Sequence, residues 1–152
     1  MKNIFEKSIT DEVIGRIKKL TPETQPQWGK MNVAEMLAHV CVAYEFVYTD
    51  KHDSTKATGF KRFMIKLFAK NQVCGEKPYP KNGRTAPQFL ITDEREFETE
   101  KKRLIEFMNK VQQDGEVKFD GMESHSFGPL NKTEWNNMFY KHTDHHLTQF
   151  GV

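Results

Sequence analysis

The sequence predicts an all-α protein, a four-helix bundle with one long crossover connection. Four segments repeat apolar residues at helical spacing, and no segment shows convincing strand alternation. A less regular stretch, residues 50–92, separates the second and third segments, as in bundles with a crossing connection. At 152 residues, the chain is predicted to form a single helical domain over 1–152.

The first two helices are predicted from their ends and their apolar faces. The first follows Ser8 or Thr10 and ends before Thr21-Pro22. The second opens with Asn32 and has Glu35 three residues later, the spacing of a capping box. Their apolar faces consist of Val13, Ile14, Ile17 and Leu20 in the first helix, and of Met36, Leu37, Val40, Cys41, Ala43, Tyr44 and Val47 in the second.

The last two helices follow the irregular stretch. The third is long, begins near Asp93 and stops at Gly115, a residue typical of helix ends. The fourth begins near Asn131 or Thr133 and continues to about Phe150.

The middle of the irregular stretch contains a short amphipathic segment. Its apolar residues are Phe60, Phe63, Met64, Leu67 and Phe68. The segment also contains the basic residues Lys61, Arg62, Lys66 and Lys70. Such a segment can lie on a membrane or contact phosphates, but the commoner meaning is a helix whose aromatic side caps the core. We therefore expect the aromatic side to be buried and the lysines to be solvated.

Composition narrows the class of protein. A net charge of +2 with 29% charged residues is nearly balanced, which predicts no global attraction to nucleic acid or to a membrane. The two cysteines are too few for a disulfide framework, and neither a signal peptide nor a membrane span is apparent. These features favour a soluble, cytoplasmic protein.

Two histidines of the last helix are the strongest functional candidates. His142 and His146 share the interior stripe of that helix with Trp135 and Phe139. Residues four apart on a helix have Cβ atoms about 5–6 Å apart, so both imidazoles can reach one metal ion. His39 lies at the edge of the apolar face of the second helix and would supply a third ligand.

Helical spacing alone leaves a second interpretation open. A histidine on an apolar face is usually a core residue whose ring nitrogens find hydrogen bonds. Two such residues one turn apart are costly to bury unless both find partners, and a shared cation satisfies both lone pairs. Pairs of this kind also occur by chance.

Neighbouring residues limit the chemistry. A zinc protease motif requires a glutamate where Thr143 stands, so that interpretation is poor. His145 points away from His142 on the helical wheel and is expected at the rim of the site. His52 and His125 are predicted to be exposed loop residues, although His125 lies close enough to the last helix to approach the site. Glu35 is the only acid predicted near the site, but its capping role competes with catalysis.

Several motifs together resemble the DinB-like superfamily, and within it a branch described only as a domain of unknown function. The resemblance covers nearly the whole chain and is carried by Trp28, Asn32, Met36-Leu37-Ala38-His39, Phe127-Gly128-Pro129-Leu130, Glu134-Trp135, His142, His146 and Gln149. It implies an antiparallel four-helix bundle that binds a divalent metal ion, often nickel or zinc. The ligand positions of that family fall on His39, His142 and His146. Relatives include metal-dependent transferases and isomerases that use low-molecular-weight thiols, and dimers occur among them.

Two functional hypotheses follow. Three neutral imidazoles leave the charge of a divalent ion uncompensated and one coordination position open, as in catalytic metal sites. The first hypothesis is therefore a metal-dependent thiol transferase, isomerase or hydrolase with a small-molecule ligand. The second is a non-catalytic metal-binding or stress-response bundle in which the histidines are structural.

Overall fold

The computed structural model describes residues 1–152 and is mostly helical, as predicted. The helices are α1 (Lys7–Lys18), α2 (Val33–Tyr48), α3 (Gly59–Cys74), α4 (Phe97–Phe119) and α5 (Lys132–Gln149), with 3-10 turns at Asp53–Thr55 and Pro87–Phe89. A small antiparallel pair, β1 (Glu123–Ser124) and β2 (Gly128–Pro129), was not predicted. None of the helices combines the length and the apolar composition that crossing a membrane requires.

The starts of α2 and α5 are fixed by matching capping boxes. The Asn32 side chain accepts the Glu35 amide at 2.9 Å, and the Glu35 carboxylate accepts the Asn32 amide at 2.8 Å. Asn131 and Glu134 repeat this arrangement at the start of α5, with distances of 2.9 and 3.1 Å. The predicted opening of the second helix at Asn32 is confirmed, and Asn131 rather than Thr133 caps the last.

The predicted start of the first helix is wrong. The helix begins at Lys7, before either expected cap, Ser8 or Thr10. The buried Thr10 hydroxyl instead donates a hydrogen bond to the Ile4 carbonyl at 2.6 Å. Thr10 therefore fastens the N-terminal segment to the helix.

The predicted bounds of the long helix are also corrected. Helix α4 begins at Phe97 because the Glu96 carboxylate accepts the first free amides of the helix, whereas Asp93 pairs with Arg95 at 2.8 Å. Gly115 interrupts the helix as expected, with a φ of 70°, but helical turns resume and continue to Phe119. Gly115 is thus a break within the element.

Helices α1, α2, α4 and α5 surround an apolar core. Helix α2 packs against α4 and α5, and α1 packs against the same two helices. At the centre, the ring of Tyr44 stacks on Phe139 at 4.9 Å, and Phe139 also contacts Phe119 and Trp135. Because α2 and α5 meet directly, the histidines on their inner sides are brought toward each other.

Helix α3 packs on the outside of α5, and its orientation contradicts the prediction. The aromatic side, expected to cap the core, is exposed, and Ile65, Ala69 and Val73 face the core instead. Two ion pairs accompany this orientation: Arg62 and Lys70 of α3 reach Glu123 (2.7 Å) and Glu134 (2.6 Å). These contacts turn part of the basic side toward the body of the protein.

A buried ion cluster that the sequence analysis missed links α2 to α4. Arg103 of α4 pairs with both Glu45 and Glu100, whose side chains are almost fully buried. Glu45 also bonds to His52 at 2.7 Å, and Glu100 to Arg95 at 3.2 Å. Buried carboxylates need such partners, because an unpaired buried charge is strongly destabilising.

Candidate metal centre

The structure brings His39, His142 and His146 together at the interface of α2 and α5. The Nε2 atoms of His39 and His142 are 3.0 Å apart, and the three rings have centroid separations of 4.5 to 5.0 Å. One ligand nitrogen from each residue lies within 4.8 Å of the others. His39 and His146 are buried, whereas His142 is half-buried. Two nitrogens bound to one ion at about 2.1 Å each lie at most about 4.2 Å apart, so the 3.0 Å separation of His39 and His142 falls within the range that a shared ion allows.

The local structure of each helix sets this convergence. The capping boxes at Asn32 and Asn131 fix where α2 and α5 begin, and hence which residues face inward. His142 and His146, one turn apart on α5, project from the same side of the helix with their rings edge to face. His39 enters from α2 on the opposite side. Each ligand position is thus held by a regular helix.

Hydrogen bonds at the outer ring nitrogens orient two of the imidazoles. His39 Nδ1 donates to the Phe89 carbonyl at 2.9 Å, and His146 Nδ1 donates to Gln149 Oε1 at 2.8 Å. Because these oxygens only accept, the proton of each neutral ring is on Nδ1 and the lone pair of Nε2 points into the cluster. This pattern is usual for metal-ligating histidines.

Gln149 is itself held in place by the loop before α2. Its Nε2 donates to the Trp28 carbonyl at 2.7 Å, which fixes the amide orientation that presents Oε1 to His146. The next residue, Gly29, has a φ of 86°, and a Cβ there would lie 2.5 Å from Gln149 Nε2. The absence of a side chain at Gly29 therefore permits this contact.

Aromatic side chains from the loops surround the cluster. Phe89 contacts the rings of His39 (5.3 Å) and His142 (5.4 Å), and Tyr79 lies 6.3 Å from His142. Sequence reasoning missed both residues, since the segment that holds them was recognised only as a loop. Prolines at positions 78, 80 and 87 stiffen this segment and were the one available signal. These two side chains give the cluster aromatic walls on the side of His39 and His142.

Burial keeps all three imidazoles neutral. It lowers the pKa of His39, lowers that of His142 well below its usual value, and lowers that of His146 to about 3. Positive charge on a neighbouring histidine would oppose protonation further at each site. Neutral imidazole is the form that binds a metal ion.

These shifts predict how the metal-free protein responds to pH. The unfolded chain takes up protons near the ordinary histidine pKa of about 6.5, but the folded cluster does so only at lower pH. Between about 3 and 6.5 the unfolded state therefore binds more protons, and the free energy of unfolding falls as the pH is lowered. Urea denaturation at pH 5 and pH 7.5 measures this loss.

A matched variant isolates the contribution of the cluster. His146→Asn removes one titrating group, so its stability should fall less between pH 7.5 and pH 5. His52→Asn, outside the cluster, is the control. An identical pH slope in His146→Asn and the parent protein would contradict the assignment. The same shifts predict that the folded protein retains metal to a pH below 6.5.

The remaining histidines lie outside the cluster. His145 contacts His146 at 5.1 Å and Trp28 at 5.9 Å, at the rim of the cluster as expected. His125 and His52 lie in loops, as predicted, but the expectation that they are exposed is wrong. His125 is buried and stacks on Phe46 at 4.1 Å, so it does not join the ligand cluster.

The acid and the thiols considered as catalytic groups for this site are not in a reactive state. Glu35, the only acid predicted near the site, is engaged in the capping box of α2. Burial raises the pKa of the Cys41 and Cys74 thiols to about 12, so neither is a thiolate at neutral pH. Thr143, in place of the protease glutamate, shares a buried hydrogen bond with Tyr44 at 3.0 Å. The three imidazoles are therefore the groups of the site that can take part in chemistry.

Fold and site together define a mostly helical protein with a three-histidine cluster in the size range of a mononuclear metal centre. The chain belongs to the family described as "Protein of unknown function (DUF1569)", which matches residues 5–151. No curated protein and no solved structure matched the chain.

Proposed function

We propose that this protein binds one divalent metal ion, nickel or zinc, through His39, His142 and His146. The observation that carries the proposal is the convergence of three neutral imidazoles, with two Nε2 atoms 3.0 Å apart. The donor set fits such an ion, because imidazole nitrogen suits nickel and zinc. The bonds from His39 to Phe89 and from His146 to Gln149 supply the supporting contacts that metal-binding histidines need.

The proposal includes a DinB-like four-helix bundle formed by α1, α2, α4 and α5. Each of α1 and α2 packs on both α4 and α5, and residues 49–96 make the crossover between α2 and α4. The resemblance in sequence motifs supports the same arrangement, with the ligands contributed by the second and last helices of the bundle. In this proposal residues 1–152 form one domain.

The proposed activity is that of a metal-dependent thiol transferase or isomerase, or of a hydrolase. A divalent ion with only neutral ligands lowers the pKa of a bound thiol or water and polarises an acceptor oxygen. The chain's own contribution is to hold His39 and His146 in the tautomer that presents Nε2 to an ion, and to limit water around the cluster with Phe89 and Tyr79. A low-molecular-weight thiol is the small-molecule ligand that best suits an open cationic site with apolar walls.

A specific observation favours the non-catalytic alternative. The cluster contains no carboxylate, and Glu35 is committed to helix capping, so the structure presents no general base beside the imidazoles. In this alternative the protein is a metal-binding or stress-response bundle whose ion only stabilises the fold.

A thiol titration tests the catalytic proposal. The nickel- or cobalt-loaded protein should change its absorption spectrum when dithiothreitol is added, because a thiolate would enter the coordination sphere. Glycerol at the same concentration should leave the spectrum unchanged. A transferase should also consume the thiol with an electrophilic aryl halide, and only when the metal and all three histidines are present.

The possible outcomes separate the alternatives. Thiol binding without turnover across a broad panel of acceptors would favour the non-catalytic bundle. The absence of any thiol effect on the metal spectrum would remove the thiol from the proposal, while metal content alone would still test the site.

A further inference from the structure

Helix α3 presents an apolar surface to solvent. Its outer face consists of Phe60, Phe63, Leu67 and Phe68, which are 77%, 60%, 63% and 74% exposed. The other large exposed apolar side chains of the protein, Met1, Leu90 and Val117, lie in three separate parts of the chain. Scattered apolar residues are normal on a protein surface, whereas several on one helix face mark an interaction site.

The inner side of α3 is already occupied. Ile65, Ala69 and Val73 pack against the core, and Cys74 is buried. The helix is therefore apolar on two sides, and packing within the chain covers only one of them.

The charge of α3 indicates what would cover the other side. The helix contains four basic residues and no acidic residue. Arg62 and Lys70 are paired with Glu123 and Glu134, but Lys61 and Lys66 are exposed and form no ion pair. At 100° per residue, Lys61 and Lys66 lie on opposite edges of the outer face. The free charges that border this apolar surface are thus positive on both sides.

We propose that the outer face of α3 docks on an anionic phospholipid surface. Phe60, Phe63, Leu67 and Phe68 would enter the boundary between headgroups and acyl chains, while Lys61 and Lys66 extend to lipid phosphates. This helix would lie in the plane of the interface. The nearly balanced net charge predicted no attraction to lipid, but it averages over a surface whose local charge is positive.

The same charges disfavour a second copy of the chain as the occupant. A two-fold symmetric contact through α3 would place the unpaired lysines of one face near those of its copy, with no acidic residue of α3 to compensate. A contact between α3 and a different surface of the copy would be head-to-tail and would continue into open assemblies unless it closed into a ring.

Vesicle co-sedimentation of the protein, residues 1–152, tests the proposal. Vesicles contain either phosphatidylcholine alone or phosphatidylcholine with 30% phosphatidylglycerol. The double variant Phe60→Ser/Phe68→Ser should bind the anionic vesicles about tenfold more weakly, since two exposed rings are lost. Lys61→Gln/Lys66→Gln should bind them about 20-fold more weakly at low salt, and its binding to the neutral vesicles should be unchanged.

Control substitutions at exposed positions outside α3 show whether the loss of binding depends on where the apolar and basic side chains lie. Val117→Ser removes an apolar side chain that is 84% exposed on α4, and Lys18→Gln/Lys19→Gln removes two exposed lysines at the end of α1. Both controls should bind the anionic vesicles like the parent protein. Equal binding of anionic and neutral vesicles by the parent, or unchanged binding by both α3 variants, would overturn the proposal. A lipid-free dimer that Phe60→Ser/Phe68→Ser dissociates would also overturn it and would assign the face to a second copy.

Discussion

Replacing His39, His142 or His146 by alanine should remove most of the metal from a protein that otherwise holds about one divalent ion per chain. Each substitution leaves two imidazoles, and the loss of one of three protein ligands greatly weakens binding. Elemental analysis of protein purified without a metal-affinity tag measures the content. Titration of the metal-free protein with zinc and with nickel then identifies the preferred ion.

His52→Ala and His145→Ala are the matched controls for this loss. His52 bonds to Glu45, and His145 lies at the rim, so both variants should keep the metal content of the parent. Circular dichroism of every variant checks that the helices remain. Full metal content in the double variant His142→Ala/His146→Ala would end the three-histidine proposal.

The largest loss of stability is expected for Phe139→Ala. Phe139 is 0% exposed and contacts the rings of Tyr44, Phe119 and Trp135 at 4.9 to 5.5 Å. Truncation removes buried apolar surface and leaves a cavity, which costs about 3–5 kcal/mol for a phenylalanine at such a position. Urea denaturation of the metal-free protein, at constant m-value, measures the change.

Phe60→Ala is the control for this substitution. It makes the same chemical change at a position that is 77% exposed on α3, so the free energy of unfolding should change by less than about 0.5 kcal/mol. A similar cost at the two positions would mean that Phe139 is not at the centre of the core.

Features determined by nearby residues could be predicted from the sequence. The start of α2 follows from a capping box that spans four residues, the start of α5 could be narrowed to Asn131 or Thr133, and the pairing of His142 with His146 follows from helical spacing. The approach of His39 needed the resemblance to a family as well, because it depends on how α2 packs against α5. Ligand binding at these residues stays a prediction.

Features determined by distant residues were missed. Helix α3 has apolar residues on two sides, so its periodicity could not show which side faces the core. Its orientation involves contacts with residues far along the chain, such as the ion pairs to Glu123 and Glu134. The contacts of Phe89 and Tyr79 with the histidines likewise depend on the path of a loop, which local sequence patterns do not specify.

The hydrogen bonds that orient His39 and His146 connect the cluster to distant parts of the chain. The bond from Gln149 to Trp28 joins residues 121 positions apart, and the bond from His39 to Phe89 joins residues 50 positions apart. An ion held by the three histidines would link His39 to His142, 103 positions along the chain, as a reversible cross-link does, and the closure entropy of a loop this long is considerable. Because His39 also bonds to Phe89, and His146 to Gln149, which bonds to Trp28, such an ion would stabilise the crossover segment and the loop before α2 together with the site.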